Sequence, residues 1–240
     1  MKTSNKILLI AGIAAAAALI ASVAVIRVIV HQGVELDGSG SVQRIEKSGE
    51  YTSTTCELDG FEAVQFIGGW EATVRKGERY AVSVRFPENY RSHLDVRSDG
   101  NTLKLGLSPR IDMNGTPLKA EIVMPRLEEV HSLGGIDLKL RGFSGNRLLI
   151  KSDGGANIHG EGGPYERLAL ELRGGANVDL LKLPARNVRV EASGAANIGV
   201  AMRGGDLTGS ISGAGSVKYT GEVRSQSITT GGVTSVRRLE

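Results

Sequence analysis

Three asparagines recur in this chain at an interval of twenty residues. Asn157, Asn177 and Asn197 lie in SDGGANIHG, LRGGANVDL and ASGAANIGV. An amide side chain both donates and accepts hydrogen bonds, so a row of amides could contact a polar ligand. Amides stacked in register could instead hydrogen-bond to one another along neighbouring strands. The pattern favours this structural ladder, which Asp137 and Ser216 could only terminate.

The other residue types that carry chemistry do not form a reaction centre. The four histidines lack the helical spacing to one another and to acids that predicts a zinc site. Cys56 has no second cysteine and no histidine spaced to activate its thiol, so we interpret it as a small filler on a strand. The glycines lead into strands rather than helices, which argues against phosphate binding. We therefore predict no catalytic residue, no metal site and no cofactor.

The charge of the chain excludes a nucleic-acid footprint. The sequence has 29 basic and 26 acidic residues. Three of the bases, Lys2, Lys6 and Arg27, lie in or beside the first apolar stretch, and the other 26 balance the acids. A neutral body offers no basic surface for phosphate backbones, so nucleic acid is not predicted as a partner.

The first 31 residues are predicted to be a membrane anchor or a signal segment. Residues 7–26, ILLIAGIAAAAALIASVAVI, carry no charge and would form a helix about 30 Å long, the thickness of a bilayer core. Lys2 and Lys6 precede it, which favours a cytoplasmic N-terminus. A cleaved signal peptide is the alternative, with Ser22 and Ala24 as small residues for cleavage. Both interpretations predict an exported protein of the cell envelope, periplasmic or at the cell surface.

The elements that position the asparagines are short strands. Glycine pairs begin at Gly134, Gly154 and Gly174, and Gly194-Ala195 follows at the same interval. Glycine reaches backbone angles that side chains forbid, so each of these four glycines is predicted to turn a corner. After each corner, apolar residues alternate with polar or small ones, which indicates strands with one buried face. The branched residues predicted to share one buried column are Leu138, Ile158, Val178 and Ile198.

A repeat of about twenty residues predicts an all-β chain of stacked coils, a parallel β-helix or β-solenoid. We expect residues 131–238 to form this repeat and residues 58–130 to form a less regular part that caps it. Within the cap, LDVRSDGNTLKLGL predicts a hairpin and KAEIVMP predicts a strand. Residues 32–57 are interpreted as a linker and leading strand, and residues 58–238 as one domain.

The sequence resembles a known family of bacterial envelope proteins, the putative autotransporter adhesin, head GIN domain family. The likeness covers about residues 58–238 and is carried by FEAVQFIGGWEATVRKG, LDVRSDGNTLKLGL, KAEIVMPRLEEV, the Gly-Gly-Ala-Asn repeats and, most specifically, ISGAGSVKYTGEV. The resemblance implies a right-handed β-solenoid, an export signal or anchor and a role named after adhesion. It implies no catalytic residues.

Three functions remain open on this basis. The leading hypothesis is a non-enzymatic envelope protein, attached to the membrane through residues 7–26, that binds an extended glycan or protein ligand. The second is an envelope-stress or regulatory module that acts through protein contacts; the sequence does not fix the oligomeric state. The third is a polysaccharide-degrading enzyme, for which Asp137, Glu171 and Asp179 are the available acids; it requires clustered acids on one face.

Overall fold

A computed structural model describes residues 43–44, 50–107, 111–112 and 117–239 of the chain. These residues belong to one compact unit, Val42–Glu240. The predicted membrane segment at residues 7–26 lies outside the described residues. Within the described ranges, no helix has the length and apolar character needed to cross a membrane.

The described chain is built almost entirely of strands. Its elements in order are β1 Gln43–Arg44, β2 Tyr51–Cys56, β3 Ala63–Ile67, β4 Trp70–Lys76, β5 Ala81–Pro87, a 3-10 helix Glu88–His93, β6 Leu94–Asp99, β7 Thr102–Leu107, β8 Ile111–Asp112, β9 Leu118–Met124, β10 Glu129–Leu133 and β11 Ile136–Arg238. The last of these is a run of 103 residues in which successive strands follow one another without a break in pairing, and it turns at glycines of positive φ such as Gly142 and Gly204.

The strands form one large sheet and one short pair. The large sheet has nine strands in the order β2-β5-β9-β4-β11-β10-β3-β7-β6, and β1 pairs with β8. Five neighbours in the large sheet are parallel: β9–β4, β4–β11, β11–β10, β10–β3 and β3–β7. Three are antiparallel: β2–β5, β5–β9 and β6–β7.

The predicted right-handed parallel β-helix is therefore wrong. The chain is all-β, but its sheet is nearly closed and of mixed strand orientation. Residues 58–130 contribute strands to this same sheet: β4 pairs with the first stretch of β11, and β9 pairs with β4. The physical reason is that alternation of apolar and polar residues fixes which face a strand buries, while strands of either direction satisfy it.

Two predicted elements of the earlier half are confirmed. LDVRSDGNTLKLGL forms the antiparallel pair β6–β7, in which Asp99 is opposite Thr102 across the turn at Gly100 and Asn101. KAEIVMP supplies most of β9, which ends at Met124, before Pro125. Short-range patterns thus identified strands correctly even where the arrangement of those strands was not readable.

Successive stretches of β11 lie beside one another at a step of about twenty residues. The parallel pairing of β10 with β11 sets this step, with Val130 opposite Ile150 and Ser132 opposite Ser152. Later the step shortens: Gly213 lies over Gly194, nineteen residues away, and Gly232 lies over Gly213. Of the pair Gly231-Gly232, the second glycine is therefore the one that continues the column.

The core consists of branched and aromatic side chains that face inward from these stretches. The column predicted from the sequence is buried, with Leu138, Ile158, Val178 and Ile198 at 0–2% exposure. Trp70 is also buried, and its indole nitrogen donates a hydrogen bond of 3.0 Å to the carbonyl oxygen of Ile67. The only tryptophan is therefore a packing residue and offers no surface for a ligand.

Candidate functional site

A row of polar side chains crosses the outer face of the sheet, one from each successive stretch of chain. We call it the asparagine row; it consists of Asp137, Asn157, Asn177, Asn197 and Ser216. Each member alternates with buried neighbours such as Ile158 and Val178, so its side chain points away from the core. The twenty-residue step then places equivalent side chains on adjacent strands, about 4.8 Å apart.

Hydrogen bonds join the row in two groups. Asn157 Nδ2 donates to Asp137 Oδ2 at 3.2 Å, and Asn177 Nδ2 donates to Asn157 Oδ1 at 3.2 Å. Ser216 Oγ donates to Asn197 Oδ1 at 3.1 Å. Among the described residues, no hydrogen bond links the amides of Asn177 and Asn197. Both of these side chains are exposed, so amide groups at the break are available to a ligand.

Beyond Asp137, the positions that continue the row on the next two strands, β4 and β9, carry charged side chains. Asp137 is opposite Glu71 in the β4–β11 register, and Glu71 is opposite Lys119 in the β4–β9 register. Lys119 Nζ lies 2.6 Å from Glu71 Oε2. The hydrogen bond from Lys119, followed by the charges of Lys119 and Lys139, lowers the pKa of the Glu71 carboxyl despite some desolvation. This end of the row therefore carries an exposed ion pair.

A charged cleft lies beside the asparagine row, two residues further along the strands. It has a volume of about 250 Å³ and is lined by Lys139, Leu140, Arg141, His159, Gly160, Glu161, Asp179 and Lys182. Within it, Arg141 Nε lies 3.6 Å from Glu161 Oε1, and His159 Nδ1 lies 3.8 Å from Asp179 Oδ2. The acids of the cleft thus face basic side chains rather than each other.

A second polar cluster lies on another part of the sheet and does not form a catalytic arrangement. His131 Nε2 is 3.3 Å from Asp153 Oδ2 and His131 Nδ1 is 3.4 Å from Gln65 Nε2. Arg173 donates to Asp153 at 3.0 Å, and this bond, followed by the one from His131, lowers the pKa of the Asp153 carboxyl. The neighbouring hydroxyls of Ser132 and Ser152 are buried in the core, so neither is a nucleophile beside His131.

The remaining acids and the cysteine also have structural surroundings. Glu171 faces Lys151, with Oε2 at 3.7 Å from Nζ. Cys56 is half-buried on β2, and desolvation raises the pKa of its thiol, which disfavours the nucleophilic thiolate. Within the described part of the chain, no group of three or more histidine, cysteine, aspartate or glutamate side chains could hold a metal ion.

The four predicted corner glycines form a column across the sheet. Gly134, Gly154, Gly174 and Gly194 have φ between 113° and 144°, in the region that side chains rarely adopt. At Gly154, Gly174 and Gly194 a Cβ would overlap the carbonyl oxygen of the preceding glycine in the column. This close backbone approach holds adjacent stretches in register and so fixes the spacing of the asparagine row.

Sequence reasoning identified the row but missed the cleft. A sequence pattern for it exists, since Lys139, His159 and Asp179 each lie two residues after a member of the row. Lys182 is different, because it lies outside the repeating positions. The interval of twenty residues does not align it with Lys139. Only the folded geometry brings these side chains together.

The chain matches one family model and several solved structures. Residues 60–223 match the family model described as putative auto-transporter adhesin, head GIN domain. A structure from Bacteroides fragilis NCTC 9343, described as a putative adhesin, has 18% sequence identity and a TM-score of 0.65 over 81% of this chain and 100% of that chain.

A structure from Parabacteroides distasonis ATCC 8503, described as a putative lipid binding protein, has 18% identity and a TM-score of 0.53 over 82% of this chain and 100% of that chain. No curated protein matches the sequence. At these identities the solved structures indicate a shared fold, and the family model indicates the family.

Proposed function

This chain belongs to the putative autotransporter adhesin, head GIN domain family, and we propose that it is a non-enzymatic envelope protein that binds an extended polar ligand. The observation that carries the proposal is the asparagine row with its neighbouring charged cleft. The row presents exposed amides at Asn177 and Asn197 on adjacent stretches of a hydrogen-bonded sheet. Amides both donate and accept, which suits the hydroxyl and amide groups of a repeating polymer.

The stiffness of the surface supports a binding role. Glycine contacts hold adjacent stretches at a fixed separation, so the row is ordered before any ligand arrives. A preorganised surface loses little conformational entropy on binding, which increases affinity for the same set of contacts. A sheet with this property serves recognition along a polymer better than it serves closure around a small substrate.

The arrangement of acids argues against the enzyme alternative. Sugar cleavage requires two carboxyl groups on either side of the scissile bond. In the charged cleft, Asp179 faces His159 and Glu161 faces Arg141. Glu171 pairs with Lys151 outside the cleft. The family and the structural relatives are likewise described by adhesion or lipid binding rather than by a catalytic activity.

A polar ligand is favoured over a lipid chain. The described large apolar side chains that are clearly exposed are Ile67, Leu133 and Val233. None of them lines the charged cleft or belongs to the asparagine row. An acyl chain needs contiguous apolar surface to displace water, and this face does not provide it.

Binding of the full chain to arrays of cell-wall glycans, host glycans and extended peptides tests the proposal. We expect at least one extended polar ligand to bind, and the double variant Asn177→Ala with Asn197→Ala to weaken its binding about tenfold. Asn146→Ala is the matched control, because Asn146 is exposed but lies outside the row. Absence of binding to every ligand, or equal loss in the control, would reject the function.

A further inference from the structure

We propose that the charged cleft binds the anionic group of an acidic saccharide, while the adjoining asparagine row contacts the hydroxyls of the same ligand. This inference rests on the proposed function and adds the class of ligand to it. The starting observation is that the cleft contains more basic side chains than acids to pair with them. Arg141 and His159 each face an acid, whereas Lys139 and Lys182 have no ion-pair partner among the described residues.

Two unpaired lysines in one cleft create a site for negative charge. An ammonium group has three donors and no acceptor, so an anion between Lys139 and Lys182 would satisfy groups that the protein leaves to water. Lys139 also lies near Glu71, but the carboxylate of Glu71 is already held by Lys119 at 2.6 Å. Lys139 and Lys182 therefore remain without an acid partner in the cleft after its two internal ion pairs are formed.

The position of the cleft connects it to the row. Lys139 lies two residues after Asp137, and His159 two residues after Asn157, so each pair projects from the same face of one strand. A ligand that crosses the strands beside the exposed amides of Asn177 and Asn197 would therefore bring a substituent into the cleft. A saccharide with an acidic substituent has both kinds of group on one short backbone.

The lining of the cleft favours a saccharide over a lipid headgroup. Leu140 and Gly160, its apolar lining residues, are both buried. The exposed apolar pair Ile67 and Leu133, which are opposite each other in the β3–β10 register, lies outside the cleft lining. A membrane-bound headgroup would need apolar side chains around the site to enter the bilayer surface.

Calorimetric titration of the full chain with trigalacturonate and with maltotriose tests this inference. We expect the acidic trisaccharide to bind more tightly than the neutral one, and added salt to weaken its binding. Lys139→Gln and Lys182→Gln should each reduce affinity for trigalacturonate about tenfold, because each removes one charged donor. Lys151→Gln is the control for loss of a lysine outside the cleft and should change affinity by less than about twofold.

Several results would overturn the inference. One is equal binding of trigalacturonate by the wild type and the two cleft variants. Another is competition by inorganic phosphate with an affinity as high as that of trigalacturonate. The sugar would then contribute nothing to the affinity. A third is lysine-dependent binding to phosphatidylglycerol vesicles without binding to trigalacturonate.

The same experiments separate the two proposals. A neutral glycan or peptide whose binding depends on Asn177 and Asn197, but not on Lys139 and Lys182, would reject the acidic saccharide and leave the proposed function intact. If the folded wild-type chain binds none of the ligands tested, both proposals are rejected. Urea unfolding of the same sample shows that the chain is folded.

Discussion

At the scale of single residues, the two glycines of each pair have different roles. Gly174 has φ of 113°, and a Cβ there would overlap the carbonyl oxygen of Gly154. Gly175 has nothing within 4 Å of the position that a Cβ would occupy. Ala195 already indicates this difference, because it stands where the other pairs have their second glycine.

Gly174→Ala is predicted to destabilise the fold by at least about 2 kcal/mol, since it combines a backbone conformation that glycine alone adopts easily with a steric overlap. Gly175→Ala should change stability by less than about 0.5 kcal/mol. Urea unfolding monitored by circular dichroism measures both. Similar midpoints for the two variants would show that the column of close glycine contacts does not hold the sheet.

The chemistry-bearing residues were predictable from the sequence only where spacing is regular. The interval of twenty placed Asn157, Asn177 and Asn197 on one face, and the structure finds them there. The break between Asn177 and Asn197 was not readable, because the same interval of twenty separates Asn157 from Asn177, and these two are hydrogen-bonded. Lys182 was missed for a related reason, since it lies outside the repeating positions.

At the scale of elements, the asparagine row joins stretches of β11 through uncharged amides. Asn157 is the sensitive member, because its Nδ2 donates to the carboxylate of Asp137. Replacing that donor by an acid would put two carboxylates at hydrogen-bond distance. Like charges directly opposite each other on neighbouring strands are destabilising.

Asn157→Asp is predicted to lower the stability of the fold by about 1 kcal/mol at pH 7. The folded state would raise the pKa of the carboxylate pair above its value in the unfolded chain. The loss should therefore shrink as the pH falls through the raised pKa towards about 4, and thermal unfolding from pH 7 to pH 3 measures it.

Asn197→Asp is the matched control for that experiment, because Ser216 Oγ can still donate to the new carboxylate. It should show little loss at pH 7. Equal and pH-independent losses in the two variants would mean that repulsion from Asp137 is not the cause.

Strand positions were predictable but strand directions were not. Gly68-Gly69 followed by Trp70, Ala72 and Val74 repeats the pattern of the later corners, and β4 indeed pairs in parallel with the first stretch of β11. The interval of sixty-six residues from Gly68 to Gly134 concealed that relationship, because β5 to β10 intervene. Alternation in β5 is just as clear, yet β5 runs antiparallel to β9.

At the scale of the whole molecule, acid is expected to weaken the fold. Among the described residues, five carboxyl groups have lowered pKa values, in each case chiefly through a hydrogen bond from a lysine or arginine; they are Glu71, Glu88, Asp99, Asp153 and Asp206. A lowered pKa in the folded state means that the unfolded chain binds protons first as the pH falls.

The melting temperature is therefore predicted to decrease as the pH is lowered from about 5, where the unfolded carboxyls begin to protonate, to below the folded pKa values. Asp206→Asn should make this decrease shallower, because it removes the carboxylate that accepts from Arg224 and from Ser225 at 2.7 Å. Differential scanning calorimetry of both proteins measures the slopes. A melting temperature that rises on acidification would contradict the assignment.

The column of close glycine contacts also sets a rule for how such a chain can change in length. It runs from Gly134 to Gly232 and includes steps of twenty and of nineteen residues. In both cases the step ends with one glycine over another. Loss or duplication of an entire step would bring one glycine over another and keep the outward side chains in line. An insertion or deletion that moved a residue with a side chain into the column would instead put its Cβ against a carbonyl oxygen. We therefore expect natural variants of this chain to lengthen or shorten by entire steps.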